Sequence, residues 1–327
     1  MIPFLIRRFL QLIPTFVLAC VLVYVLIQAA PGDFLSQFRE NPRVTPEALE
    51  LLKRKFGLDR SYLEQFWIWF TNFIRGDLGI SFSHSSRPVW DLIAPPMWNS
   101  MILVIFSLIL SYAIAIPVAI YGATRPYSTF DRLFSVFSYF GLGIPSFFFG
   151  LLAIYMLLTL KQNTGWDVPI TGKSSSNSIN PTPWQYFGDV FMHALVPSVI
   201  LALRSISSES RVLRAQLMEV MGQDYMRTAK AKGLEYQKLM YKHAFRNAVL
   251  PIVAGLGGLL PAFLSGSGFI EVVFAWPGLT PLLLQAVQEQ DIYVLMSTTA
   301  LTTILYIVGN MLSDILLAAV DPRIRYS

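Results

Sequence analysis

The sequence predicts an all-α polytopic membrane protein with six transmembrane helices, and three observations carry that reading. Hydrophobic residues make up 54% of the 327 positions and charged residues only 14%, whereas a soluble domain carries roughly 25% charged residues. Six segments are apolar over the roughly 20 residues a helix needs to cross a bilayer. The basic residues behind the net charge of +5 are distributed one-sidedly between those segments, as topology signals are. They therefore do not argue for nucleic-acid binding.

The spans are expected at 9–30, 97–122, 134–160, 193–212, 248–270 and 292–320. The first follows Arg7 and Arg8. It outruns the roughly 7–15 residues of a signal-peptide core, so it reads as a retained signal-anchor helix. Residues 31–96 then form a large extracytoplasmic insertion. Within it, Thr45 followed by Pro46 and Glu47 marks a helix start. The run from Leu63 to Phe73, with Phe66, Trp67, Trp69, Phe70 and Phe73, reads as interfacial. Arg75-Gly76-Asp77 matches a cell-adhesion tripeptide, but three residues alone do not make that case. The second and third spans are plain apolar runs, followed by a flexible outer loop at 172–183. Gly172-Lys173-Ser174 in that loop lacks the upstream glycine and strand of a phosphate loop.

The fourth span is apolar from His193 only to Leu203, and then meets Arg204, Ser208, Glu209 and Arg211. Arg204, Ser208 and Arg211 share one helical face at i, i+4 and i+7. Either that face looks into a wet pathway, or the helix leaves the membrane at Arg204. The fifth span is interrupted by Pro251 and Pro261 and contains Gly255, Gly257, Gly258, Gly266 and Gly268. It lines a pathway or forms a tight packing seam, and the two are compatible. The sixth is uninterrupted.

Orientation follows from charge. Nine Lys/Arg lie between Arg204 and Asn247; with Arg7, Arg8, Arg125, Arg132, Arg323 and Arg325 they put fifteen on one side of a six-span chain. Both termini and the 213–247 loop are therefore expected in the cytoplasm. The lone Cys20 cannot form an internal disulfide. His84, His193 and His243 are far apart, and no Cys/His cluster has metal-ligand spacing. No clustered His, Asp or Glu within the spans suggests a membrane-embedded enzyme, so no catalytic residue is assigned.

The 213–247 loop carries the functional reading. Asp224 is placed to cap a short helix, Lys230 and Lys232 lie in its last turn, and Gly233 can end it in a left-handed turn. A second helix is expected from about Glu235 to Asn247, leading back to the membrane. A short crosswise helix can rest on anionic headgroups or dock into a groove on a partner. The punctuation into two helices favours docking.

This loop resembles the coupling loop of ABC importer permeases, which reads Glu-Ala-Ala, three residues, Gly. Here Arg227-Thr228-Ala229 leads to Gly233, so Arg227 stands at the usual Glu and Thr228 at the first Ala. The full stretch Asp224, Tyr225, Met226, Arg227, Thr228, Ala229, Lys230, Ala231, Lys232, Gly233 is similar to the dipeptide/oligopeptide branch, as is Lys242-His243-Ala-Phe-Arg246-Asn247-Ala-Val-Leu-Pro251. Pro31-Gly32-Asp33, Phe56-Gly57-Leu58-Asp59-Arg60, Arg75 to Gly79, Gly143-Ile144-Pro145-Ser146-Phe147, Glu271 to Gly278, Gln290-Asp291 and Asp321-Pro322-Arg323 extend the resemblance over nearly the whole chain.

The resemblance implies a type I ABC importer permease fold in a bacterial or archaeal cytoplasmic membrane, forming one permease domain over 1–327. It implies pairing with a second permease subunit, itself expected to be a paralogue, above two ATPase subunits. An extracytoplasmic binding protein delivers a peptide substrate. Nickel or another small solute is the alternative cargo, and an ion-coupled secondary transporter the rival mechanism. ATP and Mg are expected on the ATPase partners, with no cofactor on this chain. Residues 224–233 are the expected ATPase contact. Arg204, Ser208 and Arg211 are pathway candidates, with Glu271 and Trp276 at the outer mouth; Trp276 as an interfacial anchor is the plainer alternative.

Overall fold

The computed structural model describes residues 2–30, 32, 34–39, 44–84, 87–166, 168–175, 182–258 and 267–320. Pro31, Asp33, Pro261, Gly266 and the stretch from Asp321 through Arg323 to Arg325 lie outside them. Among the described residues the structure is helical, with a single isolated bridge between Ile80 and Pro88 and no strand.

The chain opens with α1 (Ile2–Ala29) and enters the insertion through α2 (Ser36–Arg39), α3 (Pro46–Lys55) and α4 (Tyr62–Ile74). Helix α3 starts where the sequence says it should: Thr45 Oγ1 accepts from the Ala48 N–H at 3.3 Å, with Pro46 in the first turn. The aromatic run on α4 is two-faced. Trp69 and Phe73 are buried with Cys20 and Tyr24 of α1, while Leu63 and Trp67 are exposed. The insertion also holds a small core of its own, where Phe34, Phe56 and Phe82 meet edge-on or tilted with ring centroids 4.7–5.5 Å apart. In Arg75-Gly76-Asp77, Gly76 takes φ +85°, and the Asp77 carboxylate accepts from the Gly79 N–H at 2.8 Å. The tripeptide is thus a helix-ending turn.

Helix α5 (Val89–Thr124) begins eight residues before the expected 97, because Val89, Leu92 and Ile93 are buried against the α1–α4 core. The expected third span, 134–160, is two helices, α6 (Thr129–Gly143) and α7 (Ser146–Thr164). Pro145 has no N–H to donate and pushes Ile144 into an extended conformation, φ −99° and ψ 132°. Helix α8 (Pro183–Met221) opens with a Thr182/Gln185 capping box. It is far longer than the expected 193–212 and does not end at Arg204. Hydropathy falls there, but helix propensity and the buried Ile206, Leu213 and Leu217 carry it on.

Helices α5 and α8 form the central pair and run in the same direction. Ser198 Oγ donates to the Leu103 carbonyl at 3.4 Å and Ser111 Oγ to the Ala202 carbonyl at 3.5 Å. Small residues at the seam (Ala119, Ala123, Ala194, Ala202) let the two backbones approach closely.

Beyond α8 come α9 (Asp224–Ala231), α10 (Tyr236–Lys238), a π-helical turn (Leu239–Phe245), α11 (Arg246–Ala248), α12 (Leu250–Gly255) and a 3₁₀ turn (Leu256–Gly258). The expected fifth span, 248–270, is therefore not one regular helix. Pro251 removes a donor, and the Gly-rich stretch behind it tightens into the 3₁₀ turn. After α13 (Phe269–Val273) and α14 (Leu279–Gln288), α15 (Ile292–Val320) matches the sixth span. Asp291 starts it, accepting from Val294 N–H at 3.3 Å on Oδ1 while Oδ2 accepts from Phe82 N–H at 3.0 Å, Ser83 Oγ at 2.9 Å and Ser81 Oγ. This ties the insertion to the last helix.

Among the described residues four helices are long and apolar enough to cross a membrane: α5, α7, α8 and Ile292–Leu317 of α15. Ile13–Ala29 of α1 is a shorter apolar stretch. The all-α membrane class holds, and the described residues do not make up six uninterrupted spans.

Candidate functional site

The α9 region is built by the end of α8. Gly222 closes that helix with bonds from its N–H to Met218 and Glu219 carbonyls, and Gln223 is the N-cap of α9 without a side-chain bond. Asp224 is therefore a first-turn residue and not the cap expected from the sequence. Its charge still complements the helix N-terminus. Its ion pair with Arg227, at 3.7 Å, joins two exposed side chains and contributes little.

The other end of α9 is a Schellman turn. Gly233 sits at φ +75°, its N–H bonds the Lys230 carbonyl at 3.0 Å, and Leu234 N–H bonds the Ala229 carbonyl at 3.4 Å. A side chain at 233 would meet nothing within 4 Å, so the constraint is the left-handed backbone and not space. The return segment starts at Tyr236, one residue later than expected, with Glu235 as its N-cap.

The ten candidate docking residues do not share one surface. Met226 and Ala229 are buried, and Met226 packs with Leu213 and Leu217 of α8 and with Met240, Ala244 and Ala248. Met226 anchors α9, and neither of the two presents its side chain on the exposed side. Asp224, Tyr225, Arg227, Thr228, Lys230, Ala231, Lys232 and Gly233 are exposed. Tyr225 is additionally held by Asn247 Nδ2, which donates to its hydroxyl at 3.0 Å.

One residue that the sequence reading counted only as a topology charge proves central. Arg214 of α8 binds Asp131 of α6 in a fork: Nε to Oδ1 and a terminal nitrogen to Oδ2, both 2.7 Å. The Tyr127 N–H also donates to Oδ2 at 2.9 Å. Burial alone would raise the Asp131 carboxyl, but Arg214 and the Tyr127 N–H hold it below the usual carboxylate range. Helix α5 passes so close that a Cβ on Gly122 would lie 2.8 Å from Asp131 Oδ1. The pair thus locks α5, α6 and α8 together at the end that feeds α9. An Asp and an Arg 83 positions apart give no local signal.

Of the pathway candidates on α8, Arg204 is exposed, Ser208 partly so, and Arg211 exposed. Arg211 lies over the Tyr139 ring, 4.4 Å from its centroid. Glu271 and Trp276 do not line an opening: both are fully buried, which also removes the interfacial-anchor reading of Trp276. Glu271 Oε1 accepts from Ser100 Oγ at 2.6 Å, Ser267 N–H at 2.8 Å and Ser267 Oγ at 3.0 Å, and Oε2 from Thr280 N–H at 2.8 Å. Trp276 Nε1 donates to the Asn99 carbonyl at 3.0 Å, and Asn99 Nδ2 to the Pro277 carbonyl at 2.7 Å. The 267–280 segment is thereby fastened to α5. A charged residue between loop-forming glycines reads as exposed in sequence; the partner that fastens it to α5, Ser100, arrives from 171 positions away. Among the described residues no cluster of His, Cys, Asp or Glu is arranged to hold a metal.

Comparison with known proteins agrees with this architecture. The model of the family "Binding-protein-dependent transport system inner membrane component" matches residues 115–326, and its N-terminal companion matches residues 1–103. The chain is 36% identical over 326 residues to the oligopeptide transport system permease protein AppB of Bacillus subtilis, covering 100% of each. It is 33% identical over 330 residues to the glutathione transport system permease protein GsiC of Escherichia coli K12, again covering 100% of each.

Proposed function

We propose a function from one premise: the chain belongs to the family of binding-protein-dependent transport system inner membrane components. It is a multi-pass permease subunit of an ABC importer. On that basis its cargo is a peptide, the class named in its oligopeptide and glutathione relatives. It works with a second permease subunit, two ATPase subunits that carry ATP and Mg, and an extracytoplasmic binding protein. The termini and α9 face the cytoplasm, and residues 31–96 face outward.

The observation that carries the coupling role is the two-sidedness of α9. Met226 fixes it to α8 and the return segment, while Asp224, Arg227, Thr228, Lys230, Ala231 and Lys232 are exposed on its other side. A movement of the ATPase under α9 reaches α8 directly through that packing, and α5 and α6 through Arg214 and Asp131. An ion-coupled carrier would need a carboxylate open to its pathway, and Glu271 is sealed and satisfied by neutral donors.

The test is affinity purification of the tagged chain from its native membrane in gentle detergent, beside a variant with Arg227→Glu and Lys230→Glu. These exposed changes leave the chain's own packing intact. The wild type should bring down both ATPases and the second permease. The variant should keep the second permease and lose the ATPases by about tenfold, as removal of interfacial charges does. Equal recovery of the ATPases by both chains would defeat the docking role, and a wild type that emerges alone would defeat the importer assembly.

A further inference from the structure

The central pair of helices supplies its own ruler for membrane depth. At one end Ser100 of α5 meets Glu271, and at the other Gly122 meets the Asp131–Arg214 pair. The α5 stretch between them rises roughly 33 Å, close to the ~30 Å hydrocarbon thickness of a bilayer. Its midpoint is Ser111, whose hydroxyl bonds the Ala202 carbonyl of α8. Arg204 follows Ala202 by two residues, roughly 3 Å along the helix. On that scale Arg204 lies near the middle of the span, whereas Arg211 lies roughly 14 Å beyond Ala202, at its edge and against the Tyr139 ring.

Arg204 is exposed on this chain and makes no hydrogen bond, ion pair or ring contact among the described residues. A guanidinium at that depth does not face lipid tails; it faces a bundle interior or an aqueous cavity. A second feature at the same depth agrees. A Cβ on Gly141 of α6 would lie 3.4 Å from the Leu203 carbonyl, so the break at Ile144-Pro145 falls about one turn away. Gly143 and Pro145 are exposed there, and irregular backbone at membrane depth is tolerated only where protein or water covers it. No acidic side chain of this chain neutralises Arg204 among the described residues. Glu209 lies on another face of α8, one residue beyond Ser208.

We propose that Arg204 receives the carboxylate of the cargo as it passes the middle of the membrane. This rests on the peptide-import reading, since every unmodified peptide carries a C-terminal carboxylate at neutral pH. Arg204 gives that group a charged, fork-shaped donor where the bilayer centre otherwise repels it. Ser208, one turn on and partly exposed, offers a hydroxyl on the same face. Arg211 leads from there to the inner edge.

The experiment uses the complete transporter in proteoliposomes, with the binding protein filled to the same extent by either of two peptides. These share length and side chains and differ only in a free or an amidated C-terminus. Arg204→Gln should slow import of the free-carboxylate peptide by about tenfold, the usual weight of a charge-assisted contact. It should leave the amidated peptide within about twofold and leave the second permease and the ATPases in the complex. Arg204→Lys should restore most of the import, because a positive charge remains. An equal fall for both peptides, or no fall for either, overturns the proposal. Loss of the second permease from the Arg204→Gln complex also overturns it, by assigning the guanidinium to a partner's carboxylate. If the wild-type vesicles import neither peptide, the peptide reading itself has failed and Arg204's role in it falls with it.

Discussion

Two buried carboxylates sit at opposite ends of the α5–α8 pair and are held in opposite ways. Glu271 is surrounded by neutral donors only, from Ser100, Ser267 and Thr280. Asp131 is gripped by the full charge of Arg214. The first arrangement sews an irregular segment, 267–280, to a helix by many short local bonds. The second is one strong, directional joint between three helices that otherwise meet through small or apolar side chains. A joint of that kind can carry a rigid-body movement from α8 to α5 and α6 without dissolving. The contrast suits one end being a fixed lining and the other the place where motion enters.

The largest effect is expected at the sewn end. Glu271→Ala strands the donors of Ser100, Ser267 and Thr280 in the interior, and each stranded group costs about 1–3 kcal/mol. The chain should lose most of its thermal stability in detergent, and Glu271→Gln should fall between it and the wild type. If Glu271→Ala melts like the wild type while import collapses, the carboxylate belongs to the pathway and the contrast is wrong.

The jointed end is expected to cost less and to show in coupling. Removing one partner of a fully buried pair costs about 3–5 kcal/mol. The Arg214 side chain retains 26% of its surface, so Asp131→Ala should cost about 2–3 kcal/mol. The sign with pH follows from the lowered Asp131 carboxyl. Its contribution is present above the ordinary carboxylate range and is lost as pH falls through the lowered value in the folded chain. Asp131→Asn should flatten that acid limb of the melting curve. In vesicles the same variant should hydrolyse ATP with import reduced several-fold. Import and hydrolysis falling together would make the pair a structural rivet only.

What the sequence made legible divides along the same line. Local signals are legible in the sequence: the Thr45 cap, the left-handed Gly233 and the uninterrupted apolar run of α15. The α6–α7 break was signalled by Pro145, but a continuous apolar run on both sides reads as one span. The length of α8 was hidden because hydropathy stops at Arg204 while helicity depends on burial of Leu213 and Leu217 against α5. The pairings of Glu271 and Arg214 were not legible, for a shared reason. Burial of a charge is decided by partners distant in sequence, and a single chain of letters gives no sign of Ser100 or Asp131 closing on them.

The smallest effect separates two glycines and returns to the two ends. At Gly278 a Cβ would collide with the Glu271 carboxyl, so Gly278→Ala should melt the chain much as Glu271→Ala does. At Gly233 a Cβ would meet nothing, and only φ +75° resists it. A non-glycine residue in that conformation costs roughly 1–2 kcal/mol, borne by one exposed turn outside the core. Gly233→Ala should therefore leave the main melting transition within about 2 °C of wild type, since fraying of a surface turn is a local event. It should lower recovery of the ATPases several-fold, because the Schellman turn sets where Lys230 and Lys232 stand relative to the return segment. Gly233→Asn, which tolerates the left-handed region better, should recover part of the loss. A large drop in melting temperature for Gly233→Ala would mean that the α9 end is as tightly sewn as the Glu271 end. Motion would then have to enter elsewhere.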